Sequence, residues 1–389
     1  MDRDTLTGDW GGGRTWLQEH GVSLKPRLTQ FYQGLTSGDG DHDFESGGKL
    51  DLLLNASLSK LGLWDGLSLT THAEYNFGES ANGRGGTLLP VNTALIFPGL
   101  DGADAFDPTS VFLAQKFSDS VSLMMGKINM VDIAAGKPFM GGAGIDAFQN
   151  VAFAAPPSGI VPPYIFGGIL SVRTKPASFT FMIFDPVSAV NRSGLERPFN
   201  EGVVFRASVD VPVNIAGRSG HQGFSAAYST QDGTDLSSLG DLIFPPQGGT
   251  PAGIKNDRYH FAYSFDQFLY QSKANPTEGF GLFGQVGVSD GNPNPLDWSA
   301  IVGVGGTGLI PSRSRDKWGV GFFHYSVSSA LKRSLSPAVA IDDEQGVEFF
   351  YNAALTPWFH LAADVQIIDP ALNQNDTAVF ASLRAVIKF

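Results

Sequence analysis

The sequence predicts an all-β fold, a transmembrane antiparallel β-barrel of about 16 strands, from three observations. Runs of about ten residues alternate between apolar and polar side chains. This two-residue period is typical of a β-strand with one apolar face and one polar face. The connections between these runs are alternately long and short. Charged residues make up only 16% of the chain, below the roughly 25% of ordinary soluble domains.

The alternation is clearest near the end of the chain. In the last predicted strand, Leu383 and Ile387 share one face, whereas Arg384 and Lys388 share the other. Comparable runs recur along the whole sequence without a linker between them, so we predict a single barrel domain. The predicted strands span residues 22–32, 48–58, 67–77, 110–117, 121–128, 168–174, 178–185, 203–213, 223–230, 257–270, 279–288, 298–308, 316–327, 346–355, 358–368 and 378–389.

A sandwich of two sheets would show the same alternation, but its apolar faces would pack on each other. A closed barrel instead turns its apolar face to lipid, keeps polar groups inside, and has short turns at one end and long loops at the other. The barrel therefore also explains the alternating connections. Aromatic residues near strand ends are typical of the girdles at the two membrane interfaces, and we predict this role for Phe31, Tyr32, Tyr75, Phe77, Phe184, Tyr228, Tyr270 and Tyr325.

Composition excludes several classes of function. A net charge of −12 with 26 Lys and Arg argues against nucleic acid as the main partner. The absence of Cys excludes disulfides, thiolate metal sites and Cys nucleophiles. No apolar run is long enough for a transmembrane helix. The first residues show no leader pattern, so we expect that any export signal has been removed or was never present.

Motifs of enzymes and metal sites are weak. Gly287, Ser289 and Gly291 match G-x-S-x-G, but a strand runs into a loop there, whereas the hydrolase motif needs a strand-to-helix elbow. The seven His residues show no ligand cluster. We therefore predict no enzyme activity, no cofactor and no metal. Acidic loop residues such as Asp41 and Asp43 are interpreted as solvated loop tips, with divalent ions that bridge lipopolysaccharide as the alternative.

The segment before the first strand reads LTGDWGGGRTWLQEHG, at residues 6–21. It resembles the N-terminal signature of the carbohydrate-selective (OprB-like) porins of Gram-negative outer membranes. The resemblance implies a sixteen-stranded outer-membrane barrel through which sugars such as glucose diffuse passively into the periplasm. It divides the chain into a periplasmic segment with a short helix, residues 1–21, and a barrel, residues 22–389. The matching residues are Leu6, Thr7, Gly8, Asp9, Trp10, Gly11, Gly12, Arg14, Leu17 and Gly21.

Whether a residue stands at an odd or an even position of its strand, which we call its strand parity, predicts whether its side chain faces the lumen or the lipid. The charges predicted to face the lumen have mixed signs, which suits a neutral polyol better than an ion, because polyol hydroxyls need both donors and acceptors. Closure of the barrel would also bring Arg27, Asp51, Asp364 and Arg384 onto one patch of wall. The predicted channel-lining residues are Arg27, Asp51, His72, Glu74, Arg206, Arg258, Glu348, Asp364 and Arg384.

A barrel of this size is too wide to select a solute unless a loop folds into it. The two longest predicted loops, 78–109 and 129–167, are extracellular by strand count and are the candidates for such a constriction. Either loop could instead simply cap the barrel. The candidate constriction residues are Arg84, Asn92, Phe139, Asp146 and Phe148.

The leading hypothesis is a porin for monosaccharides, with sugars and outer-membrane lipid or lipopolysaccharide as partners. The alternative within transport is a general or organic-acid-selective porin of the same barrel type. A hydrolase on the barrel rim would need a nucleophile beside a His, and the closest approach, His72 with Glu74, lies on one strand. A purely adhesive role for the acidic loops would leave the barrel closed. The sequence is compatible with a single subunit and with a homotrimer.

Overall fold

The computed structural model describes residues 3–99, 104–240, 253–336 and 338–389. Within these residues, 16 antiparallel strands form a closed barrel, with β1 and β18 paired at the seam. The barrel strands are β1 Val22–Ser37, β2 Phe44–Ser57, β3 Leu67–Gly78, β4 Ala105–Lys116, β5 Val121–Asn129, β6 Tyr164–Arg173, β7 Ser178–Phe184, β8 Val204–Ile215, β9 Arg218–Ser229, β12 Arg258–Gln271, β13 Gly279–Ser289, β14 Leu296–Thr307, β15 Lys317–Val327, β16 Glu344–Ala354, β17 Phe359–Asp369 and β18 Ala378–Lys388, and a separate pair is β10 Gly233–Thr234 with β11 Ile254–Lys255.

Short helices accompany the barrel. They are α1 Gly13–Glu19, α2 Met130–Ala135, α3 Val151–Ala154 and α4 Ser329–Leu335. Among the described residues, no helix has the length and apolar character needed to cross a membrane. Helix α1 is followed by Gly21, whose positive φ of 82° matches the left-handed position expected at this helix end.

The barrel is apolar outside and polar inside. Along β17, Leu361, Val365 and Ile367 are 40%, 40% and 43% exposed, whereas Asp364 and Gln366 are each 2% exposed. A sandwich would bury the apolar row, so the predicted barrel is confirmed and the sandwich is excluded. The predicted strand count is confirmed as well.

Some boundaries and side-chain directions differ from the predictions. Strands β4 and β6 begin earlier than predicted, so the long loops are 79–104, of which 100–103 lie outside the described residues, and 130–163. Tyr32, Tyr228 and Tyr270 are exposed as girdle residues should be, but three other predicted girdle residues are buried inside the barrel, because their strand parity matches that of the lumen-facing residues. These three are Phe31, Phe184 and Tyr325.

The apolar core lies inside the barrel rather than between sheets. Both long loops fold inward and pack against the inner face of β13–β18. Phe148 stacks on Phe153 with ring centroids 4.5 Å apart, and both rings contact wall residues such as Phe283. The remaining lumen is therefore much narrower than the barrel itself.

Candidate transport channel

A network of ion pairs covers the inner face of β1, β2 and β3. Cross-strand register aligns Arg27 with Asp51, and Asp51 with Glu74. Arg27 Nε lies 3.1 Å from Asp51 Oδ2, and Lys49 Nζ lies 2.8 Å from Glu74 Oε1 and 3.4 Å from Asp51 Oδ1. His72 Nε2 lies 2.9 Å from Asp51 Oδ1. Donors and acceptors of both signs are thus interleaved on one wall.

His72 connects this wall to loop 130–163. Its Nδ1 lies 2.7 Å from Asp132 Oδ2 on helix α2. Asn129, which caps α2 by accepting from the Val131 amide, also donates to Glu74 Oε1 over 3.3 Å. The loop therefore begins in an orientation that is set by the charged wall. A carboxylate oxygen faces each nitrogen of His72, so the ring satisfies both contacts when both nitrogens carry a hydrogen.

The same residues meet the geometric minimum for a metal site. Potential ligand atoms of Asp51, His72 and Glu74 all lie within 4.8 Å of one another, a cluster that the sequence did not predict because the three residues lie on two strands. The ammonium of Lys49 contacts both carboxylates, and a cation already occupies that position. We therefore interpret the cluster as an ion-pair network and assign no metal to it.

Two buried charges on the adjoining wall, Arg384 on β18 and Glu348 on β16, hold the middle of loop 130–163. Arg384 donates from Nη1 to the Gly144 carbonyl over 2.8 Å and from Nη2 to the Ala147 carbonyl over 2.9 Å. Glu348 accepts from the backbone amides of Gln149 and Asn150, the latter over 3.0 Å. These contacts satisfy loop backbone groups that would otherwise be buried without partners.

Inward-facing glycines make room for the aromatic rings of the loop. A Cβ added to Gly319 would lie 2.7 Å from Phe148 Cζ, and one added to Gly321 would lie 2.5 Å from Phe153 Cε1. Any larger residue at either position would push the loop away from the wall. Part of the high glycine content of the chain is thus explained by close packing inside the barrel.

Three predicted channel-lining residues lie beneath the loop. Arg384, Glu348 and Asp364 are buried where loop 130–163 packs on β16–β18, and so they do not border the open lumen. Inward-facing Phe350 and Phe380 belong to the same cluster, but Phe350 still borders the larger open cavity of the lumen. Strand parity correctly turns these side chains inward, but the loop separates Arg384, Glu348 and Asp364 from solute.

The candidate constriction residues divide in the same way. Arg84 of loop 79–104 pairs with Glu45 and donates to the Asp43 carbonyl over 2.7 Å, so it ties its loop to the barrel rim. Asn92 and Phe148 are buried as packing residues. Two others, Phe139 and Asp146, line the open cavity.

In the described part of the lumen, two cavities lie on either side of loop 130–163. The larger, about 1130 Å³, opens at the short-turn end and is bordered by Arg27, Asp51 and His72; we call it the vestibule. The smaller, about 440 Å³, lies against β8, β9, β12 and β13. The residues that line both cavities are Ile133, Lys137, Pro138 and Met140. This segment is therefore the septum of the channel.

Sequence reasoning missed Asp132 as a central lumen residue, because it lies in a loop whose path was unknown, whereas Lys137 was among the residues that the constriction loops offered. A usable signal existed: Asn129 followed by an acidic residue in the first turn is typical of a helix start. Of the remaining predicted residues, Arg206 lies beside Met182, with Nη1 3.9 Å from its Sδ. Arg258 lies at the first residue of β12, near the long-loop end.

Comparison with known proteins supplies the family. The model of the carbohydrate-selective porin, OprB family, matches residues 41–389. The chain belongs to this family. As an OprB-family protein it is a carbohydrate-selective porin of the outer membrane and not an enzyme.

Solved structures agree with this fold. The chain of this OprB-family porin aligns with the high-pH structure of Pseudomonas putida OprB at a TM-score of 0.84 and 19% identity, over 100% of this chain and 99% of that one. The low-pH structure of the same protein aligns at a TM-score of 0.61 and 13% identity, again over 100% of this chain and 99% of that one. OmpT of Vibrio cholerae with loop L8 deleted aligns at a TM-score of 0.52 and 13% identity, over 95% of this chain and 99% of that one. No curated protein sequence matches the chain.

The septum of this OprB-family porin should respond to pH. Enclosure within the barrel, and then the charge of Arg206, lower the pKa of Lys137 to about 8. Lys137 is thus cationic below pH 8 and neutral above it. We expect the anion-to-cation permeability ratio, measured from reversal potentials in a KCl gradient, to fall between pH 7 and pH 9.

The variant Lys137→Met should give the low ratio at both pH values, because it carries no charge at either. Lys137→Arg should give the high ratio at both, since guanidinium stays protonated. A drop of the same size in Lys137→Met would assign the effect to another group.

Proposed function

We propose that this porin admits monosaccharides such as glucose by passive diffusion along the lumen that loop 130–163 leaves open. The observation that carries the proposal is the mixed-sign wall of Arg27, Asp51, His72 and Asp132, which borders the vestibule. Paired donors and acceptors can replace the hydrogen bonds that sugar hydroxyls make with water. Contacts of this kind are weak enough to let the solute leave again, as conduction requires.

The proposed orientation follows the loops. We place the long-loop end outside the cell and the N-terminal segment, residues 3–21, in the periplasm, because long loops of outer-membrane barrels are extracellular. The N-terminal segment is tied to the barrel seam, since Arg14 Nη2 donates to the Phe389 carbonyl over 2.8 Å and the Leu6 amide donates to the Lys388 carbonyl over 2.8 Å. Outer-membrane lipid, including lipopolysaccharide, would cover the exposed apolar rows.

Single channels in planar bilayers test the proposal. We expect glucose at tens of millimolar to reduce the ion current reversibly, because a bound sugar obstructs the open path for ions through the lumen. Liposome swelling with glucose, arabinose, quinate and amino acids then distinguishes a sugar-selective pore from a general or organic-acid pore. A current that no sugar alters, together with equal swelling rates for all these solutes, would contradict sugar selectivity.

A further inference from the structure

The vestibule has a charge balance unlike that of the whole chain. The described residues that line it include seven Lys and Arg but only five Asp, whereas the full chain carries 38 acidic against 26 basic residues. Basic side chains are therefore concentrated in the part of the lumen that lies between the septum and the short-turn end. A cleft lined by an excess of one charge attracts solutes of the opposite charge.

Three of these basic residues lie on the part of the wall that runs from β15 through β16, β17 and β18 to β1: Lys317 on β15, Lys388 on β18 and Arg27 on β1. Arg27 and Lys388 are direct cross-strand partners, and Arg27 is neutralised by Asp51 at 3.1 Å. Within the described part of the chain, neither Lys317 nor Lys388 has a carboxylate oxygen within 4.0 Å. The nearest polar side-chain contact of Lys388 Nζ is an imidazole nitrogen, His360 Nε2, at 3.5 Å.

One carboxylate faces this wall from the loop. Although burial acts to raise it, the pKa of Asp146 is held below its usual range by Lys317, Arg27, Lys388 and Arg384. Of these cations, Arg27 is paired with Asp51, and Arg384 is bound to the loop backbone beneath the loop. Asp4 of the N-terminal segment is a second carboxylate near Lys388. Within the described residues, Lys317 and Lys388 are therefore the cations of this group that border the vestibule without a carboxylate oxygen within 4.0 Å, so they can pair with a carboxylate that a solute brings.

We propose that Lys317 and Lys388 form a subsite for the carboxylate of an acidic monosaccharide, such as an aldonate or a uronate. The sugar hydroxyls would meet the mixed-sign wall of Arg27, Asp51 and His72, which borders the same vestibule. The inference rests on the proposed function, since it extends the accepted solutes from neutral sugars to their carboxylated forms. Both ammonium groups border open lumen, so the ion pair exchanges with water and the solute can leave.

Flux into proteoliposomes tests the subsite. Radiolabelled gluconate, glucose and acetate are compared in wild type, in the double variant Lys317→Met with Lys388→Met, and in the control Lys116→Met, which removes the same charge at an exposed turn outside the vestibule. In low salt we expect the double variant to lose gluconate flux by about tenfold and to retain glucose flux. The control should match wild type for all three solutes.

Each other outcome has a defined meaning. Unchanged gluconate flux in a double variant that still passes glucose would overturn the subsite and leave the proposed function intact. Wild type that excludes both sugars would overturn the proposed function and the subsite with it. Acetate flux that falls as far as gluconate flux would reduce the site to general anion attraction and overturn the proposal. If the double variant loses glucose flux too, the single variant Lys317→Gln is used in its place. A loss of gluconate flux with retained glucose flux in that variant supports the subsite, and equal losses of both overturn it.

Discussion

Replacement of Arg384 by methionine is expected to detach loop 130–163 from the wall and to raise the single-channel conductance. The substitution removes the donors to the carbonyls of Gly144 and Ala147, and these two acceptors then lie buried without a partner. Each buried acceptor that loses its donor costs about 1–3 kcal/mol. The barrel is closed by backbone hydrogen bonds that do not involve this side chain, so the strands should stay assembled.

A detached loop should also weaken sugar selectivity, so we expect a higher conductance together with a smaller reduction of current by glucose. Arg258→Met is the matched control, because it removes an inward arginine that holds no part of loop 130–163. Conductance and glucose response equal to wild type in Arg384→Met would show that the loop is held by other contacts.

Replacement of Phe148 by alanine is expected to have the second large effect. The ring packs against Phe153, Phe350 and Phe283 at centroid distances of 4.5, 4.8 and 5.6 Å. A buried Phe→Ala change costs about 3–5 kcal/mol, partly through the cavity that it leaves. We expect a lower thermal unfolding temperature in detergent and faster liposome swelling with oligosaccharides that wild type excludes.

Phe322→Ala is the control for this prediction. Phe322 lies on β15 with its ring exposed on the outer face of the barrel, so the same truncation there should leave swelling rates unchanged. An oligosaccharide exclusion limit that does not move in Phe148→Ala would mean that the aromatic cluster supports the fold but does not set the width of the channel.

Much of the channel could be predicted from the sequence. The parity of each strand correctly turned Arg27, Asp51, His72 and Glu74 inward, and the register between β1, β2 and β3 then joined them into one network. Strand parity depends only on neighbouring residues, and the bilayer imposes it on every strand. The same rule turned Arg384 inward, but it could not show that a loop covers it.

The division between open and covered wall depends on contacts that are remote in sequence. Arg384 meets Gly144 across 240 positions, and Glu348 meets Gln149 across 199. No local pattern encodes such a meeting, because each partner alone looks like an ordinary lumen charge or loop amide. For the same reason the contact of Asp132 with His72 could not be recognised before the path of the loop was known.

The sequence by itself determined the barrel, its 16 strands, its apolar exterior and the family to which it belongs. The alternation of apolar and polar residues in a strand is a local property. With lipid outside the barrel and water inside it, the apolar side chains must face outward and the polar ones inward. The tertiary structure alone decided which inward side chains face solute. That choice is made where loop 130–163 packs on β16–β18, since a charge that binds the backbone of a covering loop is no longer free to meet a sugar.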